Sequence, residues 1–239
     1  MRHGWRPERR EESLEQARRT AHWLNGLGWL VTLWLLAYPT PYQVCVAVAV
    51  SLPMVGVVAI WLHPGTLRID ELANNAYPSL LPLFLMPSLL LALRALLDYD
   101  ILEYASLWQL VVPGAALLLL LLAMVNREFM VGGRAGWPSW VLLLFMALPY
   151  SYGAAVLLNC SFDTSAVVVH PAAVVRKYTS GDFPTSYQLQ LSPWPQRPTA
   201  NTEATISKRV YQQIVPGDSV SVAAHAGYLG ISWFSVGQR

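Results

Sequence analysis

The stretch GDSVSVAAHAGYLGISWF, residues 217–234, decides how this chain divides. Val220, Val222 and Ala224, then Leu229, Ile231 and Trp233, alternate with small or polar residues on either side of an Ala226-Gly227 break. Apolar residues at period two, bounded by glycine, are the pattern of half-buried β-strands joined by a turn. Working back, the same period recurs at Ala166–Val169, Val174–Tyr178, Tyr187-Leu189-Leu191 and Ala204–Ile206. His170-Pro171, Ser180-Gly181-Asp182, PWPQRPTAN at 193–201 and Pro216-Gly217-Asp218 are the turn signals between them. Ile206, Val210 and Ile214 fall instead at helical spacing, so a short helix capped by Ser207 is expected there. Residues 161–239 therefore read as a small all-β domain, a sandwich or a partly open barrel.

Upstream the writing changes. Of 239 residues 54% are hydrophobic and only 13% charged, too few charges to cover a soluble surface of this size. Apolar stretches of bilayer length can be drawn at about 22–39, 43–62, 77–97, 104–125 and 138–158. The fold class expected is a membrane α-helical bundle of about five transmembrane helices at 22–158, followed by the β domain. Residues 1–21 form a basic juxtamembrane segment with six arginines, in which Ser13 could cap a helix. That segment lacks the short apolar core and cleavage site of a signal peptide and is expected to be retained.

Charge sets the orientation. The leader, Arg68 after the second span, and Arg127 and Arg134 after the fourth put lysine and arginine bias on one side. The other side carries no charge in its first loop and Asp98, Asp100 and Glu103 in its second. An odd number of crossings with the N-terminus in the cytoplasm satisfies this bias, leaving the β domain outside the inner membrane. Arg94 is expected to snorkel from the third span and pair with Asp98 at i,i+4. The net charge of +2 gives no reason to expect a nucleic-acid partner, and the lipid bilayer is the partner composition demands.

Tyr211, Gly217-Asp218, Gly227, Leu229-Gly230-Ile231 and Trp233 together resemble the C-terminal module of uncharacterised bacterial multi-pass membrane proteins, over roughly the last 75 residues. The resemblance implies a bacterial source and a β module outside the membrane helices. It transfers no activity and no site residues.

Chemistry is sparse. The histidines at 3, 22, 63, 170 and 225 form no HExxH pair, and neither a GxSxG elbow nor a glycine-rich phosphate loop is present, so no catalytic, cofactor or metal residue is assigned. Asp98, Asp100 and Glu103 are read as an outward-facing loop rather than a calcium site, which needs six or more oxygens. Asn25 and Gln109 read as interhelical hydrogen-bonding groups. Cys45 and Cys160 fall at one depth on the outer face, where a disulfide is allowed. Pro82, Pro87, Pro113 and Pro149 are candidate helix breaks. Two functions stand open. In one, the exported β domain binds an envelope component, a protein or a peptide, with edge-strand addition as one mode and Trp194 and Pro195 of the proline-rich arm as contact. In the other, the chain is a small transporter or channel subunit using proline-broken spans three to five.

Overall fold

The computed structural model describes residues 7–69, 77–125, 137–181, 185–198 and 201–237. Five long helices come first: α1 (Pro7–Ala37), α2 (Tyr42–Leu62), α3 (Leu81–Asp98), α4 (Tyr104–Val125) and α5 (Trp137–Ser161). Among the described residues, α2 to α5 are long and apolar enough to cross a membrane. The span expected at 22–39 is the second half of α1, where His22, Asn25, Gly26 and Gly28 dilute the leucines, and it is not among those four. Ser13 lies inside α1 rather than capping it.

The chain forms two compact units. The first contains residues 1–92 and 109–154. Its helices approach closely where side chains are missing: a Cβ on Gly56 would lie 2.5 Å from the Phe84 ring, and one on Gly153 would lie 2.4 Å from the Leu91 backbone. Small residues at such points let membrane helices gain dispersion contacts, which must replace a hydrophobic drive that lipid does not supply. Asn25 ties α1 to the start of α3, its amide donating to the Ser79 carbonyl at 2.8 Å while its oxygen accepts the Leu83 N–H at 3.3 Å. That is the interhelical role its sequence position suggested. The Tyr150 hydroxyl donates to the Val50 carbonyl at 2.7 Å, joining α5 to α2.

The expected helix breaks do not occur. Pro82 sits in the first turn of α3, where its missing N–H costs nothing. Helix continues through Pro87, Pro113 and Pro149, as it does through Pro53. Next to Pro87, the Ser88 hydroxyl donates to the Phe84 carbonyl, one residue on from the Leu83 carbonyl that proline leaves without its N–H partner.

The second unit contains residues 93–108 and 155–239, so it takes in the α3–α4 connection as well as the chain after α5. Its strands are β1 (Asp100–Ile101), β2 (Val168–Ser180), β3 (Ser186–Leu191), β4 (Thr202–Ile206), β5 (Ser219–His225) and β6 (Trp233–Gly237), with a short helix α6 (Lys208–Gln213). They make one antiparallel sheet in the order β1-β6-β5-β2-β3-β4. β2 is one long strand where two had been expected: its first half pairs with β5 and its second with β3. A bulge between Val174 and Arg176 sits at the change of partner, and bulges of this kind bend a strand and sharpen its twist. The sheet curls until its two end strands meet, and the Thr205 N–H on β4 donates to the Asp100 carboxylate on β1 at 2.8 Å. The result is a nearly closed barrel around Val174, Leu189, Leu191, Trp194, Val222 and Phe234.

Two local expectations hold. Ser207 caps α6, accepting the Val210 N–H, and Arg94 pairs with Asp98 at 3.3 Å. One does not: Leu229 and Ile231 lie in the β5–β6 connection, and strand begins only at Trp233. The cause is Asn159, fully buried in the last turns of α5. Its backbone carbonyl accepts the Tyr228 N–H, its side-chain oxygen accepts from Leu229 and Ile231, and its amide donates to the Ile231 carbonyl at 2.8 Å. Backbone groups that a strand would have spent on a neighbour are spent on one side chain.

Candidate functional site

Where the barrel falls short of closing, a cleft of about 450 Å³ lies between β1 and β4. Its polar wall follows from strand alternation. On β3 and β4, Leu189 and Leu191 face Ala204 and Thr202 toward the core, so their neighbours Gln188 and Gln190 share the opposite face with Thr205 and Glu203. Gln188 pairs with Thr205 and Gln190 with Glu203, which sets amide, hydroxyl and carboxylate side by side. Asp100, Tyr104 and Arg197 complete the opening.

Each charged group has a defined setting. Burial pushes the Asp100 carboxyl up to about 6, outweighing the Thr205 N–H bond that favours the ionised form. Arg197 donates to the Leu102 carbonyl, which fixes the guanidinium beside β1. Glu203 accepts the Tyr178 hydroxyl, and that bond to the neutral phenol, with burial, raises Tyr178 to about 12. The described lining residues hold amides, two carboxylates, a guanidinium and hydroxyls, but no histidine, cysteine or serine. They can donate to and accept from a polar ligand, and the Asp100 carboxyl is hydrogen-bonded by the Thr205 side chain as well as by its N–H.

The acidic loop is dispersed by the fold. Asp98 is held by Arg94, Asp100 turns toward β4, and the Glu103 carbonyl receives the first turn of α4 from Leu107. Among the described residues no three His, Cys, Asp or Glu side chains gather to hold a metal ion.

Trp194 is corrected outright. It is 3% exposed, packs against Phe234 at 5.8 Å between ring centres, and donates its indole N–H to the Thr202 hydroxyl at 3.1 Å. A tryptophan flanked by prolines was read as a display element, yet the arm folds inward and its ring forms part of the barrel core. Pro195, its neighbour, does remain exposed. Cys45 and Cys160 are both buried free thiols, so the allowed disulfide is not formed.

Gln188, Gln190, Arg197 and Glu203 were not singled out from sequence. The polar positions of the Tyr187–Leu191 alternation carried a signal for two of them. The partnership with Asp100 carried none, because it joins positions far apart in the chain. No protein-family model, curated protein or solved structure matches the chain.

Proposed function

We propose that this chain is an integral inner-membrane protein that presents an exported β domain for binding an envelope component, a protein or a peptide, without catalysis. The observation that carries the reading is the cleft: a polar, hydrogen-bonding wall left open at the one seam of an otherwise continuous barrel. Recognition runs through side chains. The Thr205 N–H, which an added strand would need on the β4 edge, is already held by Asp100, and this argues against edge-strand addition there.

Sidedness has support that does not depend on α1. β1 lies between α3 and α4, whereas its partner β6 follows α5, so α4 and α5 must make a return passage for one sheet to form. The connection on the far side of that return contains Arg127 and Arg134, and the preceding one contains Arg68. On the positive-inside rule this favours a β domain outside the cytoplasm, periplasmic or extracellular. A fifth crossing by the second half of α1 places the arginine leader in the cytoplasm, as charge bias favours.

The test combines two measurements on the full chain in cells. A reporter that works only outside the cytoplasm, fused after Arg239, should be active, and its cytoplasm-only counterpart silent. A photoreactive residue at Gln190 should capture a ligand that one at Lys208, on exposed α6, does not. Capture of nothing at 190 overturns the binding reading, and a silent outside reporter overturns the sidedness.

A further inference from the structure

The connection between β5 and β6 presents Tyr228 at 66% exposure and Leu229 at 41%, side by side. Apolar side chains at the tip of a connection normally cost solubility, and nothing in the cleft uses these two. Their backbone is not free to move away. The Tyr228 N–H donates to the Asn159 carbonyl at 2.9 Å and the Leu229 N–H to the Asn159 side-chain oxygen at 2.9 Å. One position earlier, the Gly227 N–H donates to Asp163 at 3.0 Å, and the Trp233 indole N–H to the same carboxylate at 2.8 Å. Gly227 must be glycine: its φ is +82°, and a Cβ there would lie 2.3 Å from the Ile231 carbonyl oxygen.

Asn159 and Asp163 straddle the end of α5, a helix apolar enough to span a bilayer and ending at Ser161. The turn is therefore clamped to the last turns of a helix that is long and apolar enough to cross a membrane. Val167, Val168 and Val169, at the adjoining start of β2, are exposed as well, and Val168 pairs with Ala224 beside the same turn. A phenol with an apolar body and a polar tip, followed by leucine, is the chemistry of the headgroup–acyl boundary.

We propose that the Gly227–Ile231 turn is a membrane-interface finger, with Tyr228 and Leu229 inserted into the lipid boundary beside the exit of α5. The partner is the bilayer itself, and the inference stands apart from the cleft. Exposure alone does not mark the finger. Val215 is 59% exposed but lies beyond the other end of β5, about 20 Å away along a seven-residue strand.

The test places benzoylphenylalanine at position 228 or at 215 in the otherwise native full chain, reconstituted in phosphatidylethanolamine and phosphatidylglycerol liposomes. After illumination, mass spectrometry should find acyl-chain adducts at 228 and none at 215. Absence of lipid adducts at 228, or equal yields at both sites, overturns the finger. Spin labels at Leu229 and Val215 give a second reading that survives a poorly folded 228 variant: oxygen should quench the label at 229 more than a water-soluble nickel chelate does, with the order reversed at 215. Equal ordering at the two positions again overturns it.

Discussion

The Asp100 carboxylate accepts the Thr205 backbone N–H at 2.8 Å across 105 positions of sequence, and with that bond a residue between two apolar helices links the two end strands of a nearly closed β-barrel. The bond favours the charged carboxylate while burial opposes it, and burial prevails. Since the folded carboxyl holds its proton to about pH 6 whereas an unfolded aspartate releases it near 4, the folded state binds more protons in that window. Stability contributed by this group is then full below the unfolded value and falls as pH rises through about 6. Melting of the full chain in detergent between pH 4.5 and 7.5 should show that fall, and Asp100→Asn, which keeps an acceptor but cannot ionise, should lack it. Parallel curves for the two proteins would refute the assignment.

Asn159→Ala should be among the most damaging single changes in the second unit. It strands the Leu229 and Ile231 N–H groups and the Ile231 carbonyl, each worth about 1–3 kcal/mol when left buried and unpaired. Gly227→Ala attacks the same contact from the other side. Because both act on one clamp, the double variant should lose less than the two single losses added together, which thermal melting of all four proteins can measure.

Trp194→Ala should cost about 3–5 kcal/mol through the cavity it leaves in the barrel. Trp194→Phe keeps most of the volume and loses chiefly the bond to Thr202, so about 1 kcal/mol is expected. A surface contact would behave differently: both variants would melt like the wild type.

Neither cysteine should react with a hydrophilic maleimide in the folded protein, and both should react after denaturation without reductant. No label in the denatured unreduced chain, with two after reduction, would reveal a Cys45–Cys160 bond that the structure lacks.

How much of this was legible beforehand depended on distance along the chain. The Ser207 cap, the Arg94–Asp98 pair and the role of Asn25 rest on local chemistry or on the hostility of lipid to a lone amide, and all three read correctly. The apolar helices were visible for the same reason, since bilayer thickness imposes a length. Pro87, Pro113 and Pro149 sit inside continuous helices, so the loss of one backbone hydrogen bond did not end any of these spans. Trp194 and Asp100 were misread for a different reason. Whether a ring is displayed or buried, and whether a carboxylate faces water or a strand edge, is settled by elements that meet only in three dimensions. The cleft belongs to that second class.

The two-residue strand β1 also bears on the order of assembly. A fragment beginning at 161 carries every other strand but leaves β6 with a bare edge and β4 without its carboxylate. Such a piece invites intermolecular pairing, and a soluble version of the barrel needs residues 98–103 grafted back. The same dependence means that the barrel completes its last rung only once α3, α4 and α5 have brought β1 and β6 together, so that the finished sheet is itself a report of their correct arrangement.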